Sequence, residues 1–243
     1  MRSWFHHPGC AIVGFFARLL WRARIEGVEH LPRTGPFILV ANHCSNLDPL
    51  MMGWASGHQI GRVVHFMAKI EMRHWPIIGW LATQAGVYFV RRGERDRAAQ
   101  QFSLEALAAG KPIAIFPEGT RSRDGHLRPG KPGAALLAIR SGAPIVPAGI
   151  SGTHRIFPNG AKIPRLPRVR IVIGEPFTLP HQPSGRLDRE ALAAGTERIM
   201  AAIEALLPEE QRRRTGAEPD PTADLSYNET DDHGPSDPIA NAP

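Results

Sequence analysis

The sequence predicts one α/β domain, a mixed central sheet flanked by helices, with an amphipathic helical segment before it and an unstructured acidic tail after it. Three observations predict this. Short apolar runs of strand length alternate with helical stretches, the pattern of a sheet with helices on its faces. Polar clusters recur directly after the apolar runs. The composition changes at Pro208, beyond which Pro, Asp, Glu and Asn dominate. The 243 residues suffice for one domain of ordinary size with a sizeable core. The boundaries are 1–27 for the amphipathic segment, 28–207 for the domain and 208–243 for the tail.

Residues Trp4 to Arg24 form the first element. Ile12, Phe15, Phe16, Leu19 and Leu20 recur at helical spacing, and Arg18, Arg22 and Arg24 add positive charge. The apolar run is about half of the roughly 20 residues that a spanning helix needs. Such a helix either lies in a membrane interface or docks on the protein's own core. Strand Phe37–Ala41 follows, entered through Gly35-Pro36. A helix over Pro49–Ser56 and a strand over Val63–Ala68 come next. Trp75–Thr83 reads as a short helix and Val87–Val90 as a strand. Helix Arg95–Ala109 ends at Gly110, and strand Ile113–Phe116 follows it. Helix Gly133–Arg140 closes at Gly142. Strands Ile145–Ile150 and Val169–Ile173 precede a last helix, Arg186–Leu207, with Leu192, Ile199, Ile203 and Leu206 on one stripe. The tail holds too little apolar surface to offset the entropy of ordering.

Charge is distributed unevenly. From Pro208 the chain has nine acidic residues and three arginines, a charge of −6, so the body carries +12 of the formal total of +6. A basic body suits nucleic acid, an anionic membrane or a phosphorylated substrate. The two cysteines, Cys10 and Cys44, make no disulfide framework. Eleven histidines are scattered, His6-His7 is the only close pair, and no HExxH spacing supports a metal hydrolase. No metal and no cofactor is expected. A non-catalytic nucleic-acid binder is disfavoured by the lack of a helix-turn-helix, zinc-ligand or ribonucleoprotein aromatic pattern.

Three constellations carry chemistry. The first is Asn42-His43-Cys44-Ser45-Asn46-Leu47-Asp48, directly after a strand. A neutral His43 can take a proton from a hydroxyl, with Asp48 fixing its tautomer. On a continuous helix, residues five apart point about 140° apart, so the backbone between them must turn. Asp48-Pro49 also reads as a helix N-cap with proline at the first helical position. Cys44, beside His43, is a weaker candidate nucleophile. The second is Phe116-Pro117-Glu118-Gly119-Thr120-Arg121-Ser122, again after a strand. It offers a tight turn, hydroxyl donors and an arginine suited to phosphate, or else a polar turn with a surface arginine. The third, Gly86-Val87-Tyr88-Phe89-Val90-Arg91-Arg92, ends a strand in two cations.

Together these blocks resemble the glycerolipid acyltransferase family, specifically 1-acyl-sn-glycerol-3-phosphate acyltransferases. Asn42, His43 and Asp48 match its NHxxxxD block. Gly86, Phe89 and Arg92 match GxxFxxR. Phe116 through Ser122 match FPEGTRS without departure, and Ile145-Val146-Pro147-Ala148 match a fourth, apolar block. Lys69 and Glu71, then Lys131 and Gly133, fit the links between blocks. The likeness runs from about Val28 to Pro176.

The resemblance implies an O-acyltransferase in which His43 is the general base and Asp48 orients it. Arg92 and Arg121 would bind the acceptor phosphate. Glu118 would shape the acceptor site by fixing Arg121 or a glycerol hydroxyl, Gly119 would permit the turn, and Thr120 would line the site. The implied reaction moves a fatty acyl group from acyl-CoA or acyl carrier protein to the sn-2 hydroxyl of 1-acyl-sn-glycerol-3-phosphate, giving phosphatidic acid. The thioester is a co-substrate, not a cofactor. Another lysolipid such as lyso-ornithine lipid, or glycerol-3-phosphate, is the alternative acceptor. The implied partners are a lysophospholipid, an acyl thioester and an anionic membrane surface, with no nucleic acid. The implied location is the cytoplasmic face of a membrane, peripheral or monotopic.

Overall fold

The computed structural model describes residues 6–69, 88–90, 95–158, 161 and 163–214. Seven strands form one sheet: β1 Arg24–Glu26, β2 Ile38–Ala41, β3 His65–Lys69, β4 Tyr88–Val90, β5 Ile113–Ile115, β6 Ile145–Ser151 and β7 Arg170–Ile173. Their order across the sheet is β1-β7-β6-β2-β5-β3-β4. Every pairing is parallel except β6 with β7. The sheet is therefore mixed, as the sequence predicts. The helices are α1 His6–Trp21, α2 Asp48–Gly53, α3 Arg95–Ala108, α4 Gly133–Ser141 and α5 Arg189–Ala205. A π-helical stretch, Trp54–His58, continues α2.

β2 shows why the centre is fixed. Every one of its residues is buried. Leu39 and Ala41 face one core cluster, with Met51, Met52, Trp54 and Ala17. Ile38 and Val40 face the other, with Leu137, Ile139, Ile199 and Ile203. A strand covered on both faces reads as a continuous apolar run, because successive side chains alternate between two dry layers. α1 and α2 thus lie on one face of the sheet, and α3, α4 and α5 on the other.

Most element readings hold to within a residue or two. β1 is missing from the sequence reading, which carried a helix through Arg24. α1 instead stops at Trp21, because Arg22 adopts φ +46° and the Ala23 N–H turns back to the Ala17 carbonyl at 3.1 Å. The last helix is shorter than read and starts at Arg189, capped by the Asp188 side chain, which accepts the Glu190 N–H. The expected helix Trp75–Thr83 lies outside the described residues.

The start of the tail differs as well. Glu209–Gln211 form a 3₁₀ turn against the body, with Gln211 buried. Arg213 reaches Glu197 and Glu204 on α5. These charge-assisted bonds supply what the acidic composition lacks in apolar surface. Residues beyond 214 lie outside the described residues.

Candidate active site

The chemistry-bearing loops meet where the sheet changes direction of winding. β2 and β5 are paired neighbours. The chain leaves β2 for the α1/α2 layer and leaves β5 for the α3/α4/α5 layer. Open α/β sheets hold their ligands outside the strand ends between two such departures. β6 flanks β2 on its other side. The residues following these three strands therefore converge.

Asn42 is the first of them. Its side-chain oxygen accepts the Ile150 N–H at 2.7 Å, and its amide donates to the Ile150 carbonyl at 2.9 Å. The side chain continues the β2–β6 ladder after the backbone has left it. That frees residues 43–47 to turn, and the Asp48 N–H closes the turn on the Ser45 carbonyl at 3.2 Å.

The turn brings His43 and Asp48 together. His43 Nδ1 lies 2.9 Å from Asp48 Oδ2. The same oxygen accepts the Cys44 and Ser45 N–H groups at 2.7 and 2.6 Å. Asp48 Oδ1 accepts the Thr153 hydroxyl at 2.7 Å. The carboxylate is fully buried and is met by donors on both oxygens. Asp48 is the first residue of α2 and Leu47 its N-cap, so the helix opens one position earlier than the Asp48 cap reading places it, and the carboxylate faces back into the loop toward His43. With Nδ1–H directed at a carboxylate, a neutral imidazole carries its lone pair on Nε2. The ring is stacked on Phe116, with centroids 4.2 Å apart and planes at 19°. The His43 side chain is 17% exposed, enough for a substrate to reach it.

The loop after β5 grips His43 through its backbone. The His43 N–H donates to Glu118 Oε1 at 2.6 Å, and the Ser122 N–H donates to the His43 carbonyl at 2.7 Å. Arg121 is therefore held next to His43 in the chain trace, and Gly119, Thr120 and Arg121 are all exposed. Gly119 has φ +67°, which a residue with a Cβ rarely adopts, and the Lys131 side chain packs over it.

Glu118 departs from the expected tie to Arg121. It is buried, and its second oxygen accepts the Arg128 N–H at 3.0 Å. Both oxygens are thus committed to backbone, so the side chain ties the two loops together and does not fix Arg121. Burial pushes its carboxyl up to about 8, against the pull of the two N–H donors. Cys44 is removed as a nucleophile. Burial and the nearby Asp48 charge push its thiol well above the usual range, and only a thiolate attacks readily. Its sulfur lies 3.3 Å from the Thr153 hydroxyl.

The family model described as Acyltransferase matches residues 22–151, more than half of the chain. The chain belongs to the acyltransferase family. The matched stretch runs from β1 to the end of β6 and contains the His43–Asp48 pair and the Glu118–Arg121 turn. Among curated relatives, the chloroplastic 1-acyl-sn-glycerol-3-phosphate acyltransferase BAT2 of Brassica napus is 32% identical over 188 residues, covering 72% of this chain and 51% of the relative. The lyso-ornithine lipid O-acyltransferase of Pseudomonas aeruginosa is 36% identical over 136 residues, covering 56% and 49%. The chain spans about half the length of these relatives. The crystal structure of the 1-acyl-sn-glycerophosphate acyltransferase PlsC of Thermotoga maritima superposes with a TM-score of 0.63 at 27% identity, covering 81% of this chain and 78% of that one.

Within this acyltransferase fold, sequence reasoning missed two contributors. Thr153 follows β6 by two residues and supplies the hydroxyl on Asp48. Gln211 bridges the loops, accepting the Gly152 N–H at 3.4 Å and donating to the Gly125 carbonyl at 3.1 Å. Neither sits in a recognisable motif. Arg92 lies outside the described residues, as does Gly86. The groups of His, Cys, Asp and Glu among the described residues hold no metal-ligand cluster.

Proposed function

We propose that the chain transfers a fatty acyl group from acyl-CoA or acyl carrier protein to the sn-2 hydroxyl of 1-acyl-sn-glycerol-3-phosphate, giving phosphatidic acid. The observation that carries this reading is the His43 imidazole, oriented by buried Asp48 and held by both backbone ends against the exposed Arg121 turn. His43 Nε2 takes the hydroxyl proton as the oxygen attacks the thioester carbonyl. The C–S bond breaks in the collapse of the tetrahedral adduct, and the imidazolium returns its proton to the departing thiolate. Asp48 stabilises the imidazolium between those steps. A base of this kind contributes typically about 10²–10⁴-fold. Arg121, with Arg92, holds the acceptor phosphate, and that grip supplies positioning.

The likeness to the Brassica and Thermotoga acyltransferases supports lysophosphatidate as acceptor. The Pseudomonas relative supports a second reading, a lyso-ornithine lipid acceptor. Supply of a bilayer lipid fits peripheral attachment at the cytoplasmic face through α1, whose Ile12, Phe15 and Leu19 are each about 60% exposed. No described helix is long and apolar enough to cross a membrane.

The test is an assay with each acceptor and both donor types. His43→Ala is expected to lose about 10²–10⁴-fold in kcat while keeping the parent fold by circular dichroism. Near-parent turnover would remove His43 as the base. Arg121→Ala is expected to raise KM for lysophosphatidate far more than for the thioester. An equal rise for both would remove its phosphate role, and preferential use of lyso-ornithine lipid would select the second reading.

A further inference from the structure

Between the Thr153–Arg155 turn and β7, Ile156 and Val169 enter the core, while the described residues 163–166 and Arg168 are exposed. Ile163 is 80% exposed and Leu166 66%, more than any other large apolar side chain described. Single exposed apolar residues need no explanation, but their confinement does. Every large exposed apolar side chain among the described residues lies on α1, on the first turn of α2, or in this loop.

The topology places these segments at one end of the molecule. β6 ends beside the site, and Thr153 on its far side bonds Asp48. β7 runs antiparallel to β6, so the loop joining them both leaves and returns at the site end. β1 runs parallel to β7, so the end of α1 that feeds β1 lies there too. Contacts fix the relation. The Trp21 indole N–H donates to the Arg165 carbonyl at 3.0 Å, and the Val169 N–H donates to the Trp21 carbonyl at 3.0 Å. The loop is also pinned from below, by the Arg165 N–H on the carbonyl of fully buried Ile156 at 2.8 Å. Pro164 and Pro167 limit its backbone further. Its apolar tips are thus held outward.

We propose that this loop is a second bilayer contact beside α1, with Ile163 and Leu166 inserted into an anionic phospholipid surface at the mouth of the site. Charge selects the occupant. Exposed Arg165 and Arg168 alternate with the apolar tips, and exposed Arg18 and Arg22 lie on the adjoining helix end. Arginines at headgroup depth beside inserted aliphatic side chains are the pattern of an anionic interface. A protein partner would bury these guanidinium groups, which needs matched carboxylates. The proposal rests on reading the acceptor as a membrane lipid. Two contacts flanking the site would set His43 at the headgroup plane, where a lysolipid can enter sideways without leaving the bilayer.

The experiment uses the full chain and vesicles of phosphatidylcholine with and without phosphatidylglycerol. An environment-sensitive NBD label on Ile163→Cys is expected to brighten when anionic vesicles are added. Native Cys10 and Cys44 are buried, so the new thiol takes the label. The pair Ile163→Asp with Leu166→Asp is expected to weaken vesicle partitioning at least about tenfold, from the apolar area withdrawn, while keeping parent activity on micellar substrate. An unchanged label signal on vesicles that bind the protein would overturn the proposal, as would parent-level partitioning of the double variant. A dimer abolished by the double variant, with vesicle binding unaffected, would assign the face to a second copy instead. Neither vesicle readout uses turnover, so an inactive enzyme that still passes both would sink the acyltransferase reading alone.

Discussion

Asp48 is where a single residue determines most. Its carboxylate collects a ring N–H, two backbone N–H groups and a hydroxyl, so the geometry of His43 depends on a group that never reaches solvent. Thr153→Val keeps the shape and removes the hydroxyl. We expect stability to fall by about 1–3 kcal/mol, the cost of an unsatisfied buried acceptor, and kcat to fall about tenfold with both KM values unchanged. Urea titration and steady-state kinetics check this, and a parent-like kcat would show that Asp48 holds His43 without help from Thr153. Asn42, His43 and Asp48 were legible in the sequence because they sit within seven residues of one another. Thr153 was not, because its partner is 105 positions away. The tie that Glu118 makes between the two loops was not legible either, because its partners are backbone N–H groups, which no side-chain motif records.

Elements were legible wherever burial imposed a period or a glycine imposed a stop. Gly110 and Gly142 end α3 and α4 with φ +74° and +66°, as their positions predict. α1 has no such signal. It ends on Arg22 in the left-handed region, a conformation costly to a side chain. Arg22→Gly is expected to raise stability by about 1 kcal/mol, measured as a higher urea midpoint, and no rise would mean the side chain earns its place by another contact. β1 escaped notice because Arg24-Ile25-Glu26 is short and charged, and it exists only as an edge paired to β7. The strap at Glu209–Gln211 is equally tertiary. Gln211→Ala strips partners from Gly152 and Gly125, and we expect a loss of about 2 kcal/mol. An unchanged melting temperature would show that the two loops hold without the strap.

At the scale of the whole molecule, titration links the site to stability. Glu118 has a carboxyl raised to about 8, chiefly by burial. Between the ordinary carboxylate range and pH 8 the native state holds a proton that the unfolded chain has released. Stability contributed by this group therefore falls as pH rises through that window, and is unaffected below it. Glu204 works oppositely: burial raises its carboxyl, but the bonds from Arg213 outweigh it, so its contribution is present at neutral pH and lost in acid. Urea midpoints of the parent and Glu118→Gln from pH 5 to 8 separate the two. The parent is expected to lose stability relative to the variant as pH rises, and parallel curves would show that Glu118 stays ionised throughout.

By itself the sequence determined the layered α/β architecture, the family likeness and which residues, His43, Asp48 and Arg121, to look for at the strand ends. Those features rest on local pattern: alternation, apolar period and residues clustered at strand ends. Only the tertiary structure decided which groups hold His43 in place, where α1 stops, and that the loop before β7 is bonded to the end of α1. Such relations depend on which strands become neighbours, and the sheet order β1-β7-β6-β2-β5-β3-β4 brings together segments more than a hundred residues apart in the chain.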